Sequence, residues 1–222
     1  MHYSYFSTLP PPTQSSAVHT WQCILVSEEC MKAPERFRSE GDLRHFLHSY
    51  GVHTESWGRG SKDVDDLYEE LSCGETRLVL RRDGTVLRLK RAAAARVLFN
   101  DQGRQLMLQR KEQVFRNGTV RSDFSDRLSI SEKLQPKEKA KKALIRGLGE
   151  ELQLDPPFSI RPRGTSVDIA VSKTFPGLVT KSTRHRFDVH LHPEQYNPDG
   201  YIEEQPKKTT YFGWKPLPCT HR

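Results

Sequence analysis

The chain has 222 residues, 35 of them Lys or Arg against 28 Asp or Glu, for a net charge of +7 at pH 7. That is length for one good core and a small extension, and no apolar run approaches the ~18 residues a membrane helix needs. The positive balance biases partners toward anions such as nucleotides; with charge as the sole argument for them, nucleic acid and membrane surfaces are disfavoured. The four cysteines, Cys23, Cys30, Cys73 and Cys219, form no C-x-x-C pair and read as free thiols of a reducing compartment, by default the cytoplasm.

Residues 1–37 read as an irregular tail. Leu9-Pro10-Pro11-Pro12 blocks a helix, and up to Ser27 there is neither acid nor Lys or Arg. An organelle transit peptide is acid-poor but Arg-rich, so the tail meets half of that pattern and leaves organelle targeting open. From Ser39, Leu43, Phe46, Leu47 and Tyr50 recur at helical spacing until Gly51, and Val64, Leu67, Tyr68 and Leu71 predict a second short helix ending near Gly74. Residues 38–90 are expected to form a helical appendage plus a hairpin over Thr76 to Lys90, with Asp83-Gly84 as its two-residue turn. Residues 91–222 are expected to be the main domain. Ala94 to Phe99 and Gln105 to Arg110 predict a second hairpin about Asn100-Asp101-Gln102-Gly103, Glu112 to Arg127 a loop, and Leu128 to Ser131 a short strand. Ser166 to Ser172, Arg186 to His192 and Thr209 to Trp214 predict strands, with a turn at Phe175-Pro176-Gly177-Leu178 and a polar loop over Asn197 to Lys208.

Between these strands lies the one long helical pattern, Glu138 to Leu154, stopped by Asp155-Pro156-Pro157. Leu144, Leu148 and Leu152 make an apolar stripe, Glu150 and Glu151 lie beside it, and Arg146 stands one turn before Glu150. A carboxylate pair with a nearby cation is what holding a hard metal ion beside a phosphate requires. Salt-bridged amphipathic helices look the same without context.

The same stretch resembles the signature of the Nudix hydrolases: Gly, five residues, Glu, seven residues, Arg-Glu-aliphatic, any residue, Glu-Glu, any residue, Gly, aliphatic. Glu138, Arg146, Leu148, Glu150, Glu151 and Leu154 occupy matching places. Three places depart: Glu132 stands for the opening Gly, Gly147 for the Glu after the Arg, and Gln153 for the last Gly. The resemblance spans roughly residues 91–217. It implies an α/β fold, a Nudix-like α/β/α sandwich with a mixed sheet, and metal-dependent hydrolysis of a pyrophosphate linkage in a small phosphorylated substrate such as a nucleoside diphosphate derivative. It implies Mg²⁺ or Mn²⁺ held by Glu150 and Glu151, with Arg146 orienting one of them. Glu138 is either a further metal carboxylate or a favourable charge at the helix N-terminus. Glu203 and Glu204, in the loop before the last strand, and Glu132 are candidates for the carboxylate that Gly147 lacks. The alternative reading is a catalytically weak protein of the same fold that binds a phosphorylated ligand. Substrate identity and oligomeric state are not legible.

Overall fold

The computed structural model describes residues 30–31, 36–59, 61–122 and 128–218; most of the expected tail lies outside them. Among the described residues ten strands form one mixed sheet: β1 (Cys30–Met31), β2 (Thr76–Arg81), β3 (Val86–Asp101), β4 (Arg104–Phe115), β5 (Val120–Arg121), β6 (Ile130–Lys133), β7 (Ser159–Val171), β8 (Val179–His190), β9 (Tyr201–Gln205) and β10 (Lys208–Pro216). The described α-helices are α1 (Glu40–Ser49), α2 (Val64–Ser72) and α3 (Ala140–Leu152). The fold is mixed α/β, as expected.

β3 organises the sheet. The two hairpins expected on either side of residue 90 share it as a single strand. One edge pairs in parallel with β8 from Leu87 to Leu98. The other edge is divided among three antiparallel partners, β2 over Val86 to Lys90, β6 over Ala92 to Ala95, and β4 over Leu98 to Asp101. The run Ala92-Ala93-Ala94-Ala95, at most 1% exposed, suits this crowded centre because methyl side chains let both faces be covered closely. Ser129 anchors the start of β6: its hydroxyl donates to the Leu108 carbonyl at 2.6 Å and accepts from the Val97 N–H at 2.8 Å.

Several expected loops are strands, because their backbone groups find ladder partners that polarity alone does not reveal. β4 continues to Phe115 against β10 and turns through Asn117-Gly118 into β5. β9 lies within the expected loop 197–208 and pairs with β10 from Tyr201 to Gln205. The Asp83-Gly84 turn is a three-residue loop: Arg81 and Thr85 close it, and Gly84 adopts φ 81°.

α3 is shorter than the Glu138 to Leu154 pattern. Lys137 takes φ 61°, and the segment before the helix is closed by Gln135 N–H donating to Glu138 Oε2 at 2.9 Å and Glu138 N–H donating to the Gln135 carbonyl at 3.1 Å. Glu138 therefore precedes the helix. Leu144, Leu148 and Leu152 bury against Ala93, Ala95, Val97, Leu108 and Val189, each leucine contributing roughly 1.5–3 kcal/mol on removal from water. At the other end Gln153 is left-handed, φ 55°, its N–H bonded to the Gly149 carbonyl and that of Leu154 to the Leu148 carbonyl. This helix-ending geometry favours glycine.

The N-terminal helices form a second core with β2. Leu43, Leu47, Val64 and Leu67 pack with Leu78, Leu80, Val86, Phe175 and Leu178. The turn at Phe175 thus supplies core side chains, and Trp57 Nε1 donates to the Pro176 carbonyl at 2.9 Å. Neighbouring residues of β6 point to opposite faces. Glu132 crosses α3, whereas Lys133 reaches Glu70 of α2 at 2.9 Å, so α2 and α3 cover opposite faces of the sheet. Glu70 also pairs with Arg88, itself 4% exposed, and with Lys62 at 2.7 Å. Burial pushes the Glu70 carboxyl up, but the charges of Arg88, Lys133 and Lys62 outweigh it and hold the group at about 2.

Two outcomes are expected. Because the folded Glu70 titrates below an unfolded carboxyl, its contribution of about 3 kcal/mol is fully present above the unfolded pKa and is lost as pH falls from roughly 4.5 toward 2. Denaturant titrations of the wild type should lose stability across that window more steeply than those of Glu70→Gln. Gln153→Gly relieves the left-handed backbone and should raise stability by about 0.5–1 kcal/mol, read as a higher denaturant midpoint with unchanged slope.

Candidate functional site

One cavity of about 500 Å³ opens between the edge of α3, β6, and the β4–β10–β9 ladder. It is lined by Glu75, Glu132, Glu150, Glu151, Glu203 and Glu204, by Arg110, Lys133 and Lys208, and by Gln113, Ser131 and Gln205. Six carboxylates against three cations give it an acidic balance in a basic protein. α3 brings Glu150 and Glu151 to its rim because the leucine stripe fixes the rotation of the helix. β9, held to β10 by the Glu203–Thr210 and Glu204–Thr209 pairs, brings the other two from across the opening.

The carboxylates differ in environment. The Glu150 side chain is 59% exposed. Glu151 is half-buried; burial, then the negative charges of Glu203 and Glu132, push its carboxyl up to about 8, while Arg110 and Lys208 pull it back. Glu203, expected in an exposed loop, is only 8% exposed on a strand and accepts from the Gln205 amide; Glu204 is exposed. Glu132 is raised by burial despite its contact with Arg146, and Lys208 is lowered by burial.

Arg146 ties these parts together. Its Nη1 donates to Glu132 Oε1 at 2.9 Å and to Glu150 Oε2 at 3.1 Å. Its Nη2 donates to Glu138 Oε2 at 3.1 Å and to the Lys133 carbonyl at 2.9 Å, and its Nε to Glu138 Oε1 at 3.3 Å. The fork on Glu138 holds that carboxyl below its ordinary value, the hydrogen bond from Arg146 being the main cause. Glu138, its side chain 6% exposed, is thus committed to Arg146 and to the Gln135 N–H, and does not line the cavity.

The donor set fits a hard divalent cation, which takes carboxylate oxygens. A crowded carboxyl that retains a proton is one whose proton such a cation can replace. The sequence expectations meet here unequally. Glu150, Glu151, Glu132, Glu203 and Glu204 come together around the opening, while Arg146 acts on two of them and Glu138 stands behind it. Glu75, Arg110 and Lys208 were not singled out from sequence; nothing local marks a residue whose role depends on which strand lies beside it. The pattern also missed a compact group at the end of α1 and the turn after it. Among the described residues, His48, His53 and Glu55 have ligand atoms within 4.8 Å of one another, all exposed and none lining the cavity.

No family model matches the chain, and no curated protein matches it. Solved structures of low similarity include the Ap4A hydrolase of C. elegans, 14% identical over 56% of this chain and 77% of that one, with a TM-score of 0.33. They also include the NUDIX domain of Shewanella oneidensis NrtR, solved with ADP ribose, 12% identical over 57% of this chain and 71% of that one, TM-score 0.34. A third is the Nudix hydrolase RenU of M. smegmatis, 14% identical over 62% of this chain and 77% of that one, TM-score 0.34. At these values the likeness carries no argument about this chain's reaction.

Replacing Arg146 tests the hub. Arg146→Ala leaves Glu138 and Glu132 without their cation and should cost about 3 kcal/mol. Arg146→Lys keeps the charge but cannot fork between Glu138 and Glu132, and should recover less than half of that loss in chemical denaturation.

Proposed function

We propose that the cavity binds a divalent cation, Mg²⁺ or Mn²⁺, and hydrolyses a pyrophosphate linkage in a nucleoside diphosphate derivative or a related phosphorylated compound. The observation that carries this reading is the half-buried Glu151, crowded by Glu203 and Glu132 and adjacent on the helix to Glu150, which Arg146 steadies. A soluble surface helix has no reason to place a carboxylate where its charge is disfavoured; a cation-binding site does. The spacing of Arg146, Glu150 and Glu151 within the Nudix-like signature agrees with it.

Glu150 and Glu151 are assigned as the first ligands, with Glu203, and Glu204 at the exposed rim, able to complete the set from β9. When bound, the cation supplies charge neutralisation at the phosphates. Arg146 aims Glu150 through its hydrogen bond to Glu150 Oε2. Arg110 and Lys208 stand among the carboxylates to meet phosphate oxygens that the acidic balance would otherwise repel. Glu138 is assigned to positioning Arg146 rather than to the metal.

A second reading has one observation in its favour. Gly147 removes a carboxylate from the helix face, so the same cavity would serve a protein that binds a phosphorylated ligand without turning it over. A Mg²⁺-dependent screen of pyrophosphate compounds decides between them. Release of a monophosphate is expected, with Glu150→Gln and Glu151→Gln each lowering kcat by about 10²-fold or more. Turnover unchanged in both variants would overturn the assignment of ligands. Binding without turnover across the panel would favour the second reading.

A further inference from the structure

We propose that Glu132 and Gly147 are a reciprocal exchange: the carboxylate that the Nudix-like signature places on the helix is delivered here from strand β6, and position 147 is glycine because the Glu132 side chain crosses the helix there. The inference rests on the metal-binding reading above.

Three observations carry it. The first is in the sequence. The signature asks for Gly at the place of Glu132 and for Glu at the place of Gly147, and the chain holds the two residues the other way round. Two independent losses would have no reason to be mirror images.

The second is steric. A Cβ at position 147 would lie 2.9 Å from Glu132 Cβ and 3.2 Å from its Cγ. The first of these is not the tip of a flexible chain. Glu132 Cβ is fixed to a strand held on β3 by the Ala93–Glu132 and Ala94–Ser131 pairs, and Gly147 is fixed to a helix whose leucines fill the core. Either the helix carries a side chain at 147 or the strand carries one at 132, but not both in these positions. Gly147 costs the helix roughly 1 kcal/mol relative to alanine, so its presence needs a reason, and the crossing side chain provides one.

The third is where the Glu132 carboxylate arrives. It lines the same cavity as Glu150, Glu151 and Glu203. One nitrogen, Arg146 Nη1, donates both to Glu132 Oε1 at 2.9 Å and to Glu150 Oε2 at 3.1 Å, so a single cation holds the two carboxylates side by side. Glu132 Oε2 lies 3.9 Å from the site of the absent Cβ at 147, directly over the helix position whose carboxylate is missing. A cation drawn to Glu150 and Glu151 meets Glu132 where it would have met a helix glutamate.

The exchange makes a prediction opposite to the intuitive one. Restoring the signature by Gly147→Glu alone should damage the protein, because Glu132 already fills the space. The test is Mn²⁺ titration calorimetry on metal-stripped protein together with thermal denaturation, for the wild type, Glu132→Gln, Gly147→Glu, and the double variant Glu132→Gly with Gly147→Glu. Glu132→Gln keeps the packing over Gly147 and the hydrogen bond from Arg146. It should bind Mn²⁺ about ten-fold or more weakly while melting close to the wild type. Gly147→Glu should melt lower and gain no affinity. The double variant should recover the midpoint lost by Gly147→Glu and bind Mn²⁺ within about three-fold of the wild type. Wild-type affinity in Glu132→Gln, or a double variant no better than Gly147→Glu, would overturn the exchange and leave the metal reading standing. A wild type that takes up no Mn²⁺ would overturn the metal reading and the exchange with it.

Discussion

The guanidinium of Arg146 is the interaction on which the site depends. It makes hydrogen bonds to three carboxylates and to a strand carbonyl, and so joins the segment before α3, strand β6 and the helix itself. A lysine in its place would offer a point charge without the fixed planar fork. The arrangement divides the work among acids that look alike in sequence. Glu138 faces Arg146 from behind and is neutralised by it. Glu132 and Glu150 share one of its nitrogens and remain turned toward the opening. Glu151 is instead crowded by Glu203 and Glu132.

The constraint behind this geometry is the long strand β3. Its parallel pairing with β8 along one edge frees the other for β2, β6 and β4 in turn. The short β6 is thereby placed between β2 and β4 along that edge of β3. Its consecutive residues Glu132 and Lys133 both line the cavity beside α3, and Lys133 also enters the ion cluster around Glu70. The N-terminal helices are consequently coupled to the site through one strand of four residues. Their core is closed by Phe175 and Leu178, which follow β7 in the chain.

Much of this was legible in the sequence where local patterns decide structure. Helix α1 begins at the Ser39 cap, α2 starts at Val64 as its apolar spacing predicts, and the leucine period of α3 placed Glu150 and Glu151 beside it. What was not legible depends on partners distant in sequence. β9 and the end of β4 read as polar loops because their stabilisation is a backbone ladder with β10. β3 read as parts of two hairpins, one about Asp83-Gly84 and one about Asn100 to Gly103, because its continuity is set by β8, distant in sequence, along one edge. The sequence offered Glu132 as one of several candidates for the carboxylate missing at Gly147, with no sign that the two positions touch. In the folded protein the three departures from the signature are of different kinds: Gln153 is a matter of backbone conformation at a helix end, whereas Glu132 and Gly147 are one steric arrangement seen from its two sides.

The most direct measurement is a crystal structure of the protein soaked in Mn²⁺, with anomalous differences locating the ion. The account predicts a peak in the cavity, within ligand distance of Glu150, Glu151 and Glu132. A peak confined to the exposed His48, His53 and Glu55 group, or no peak at all, would contradict it.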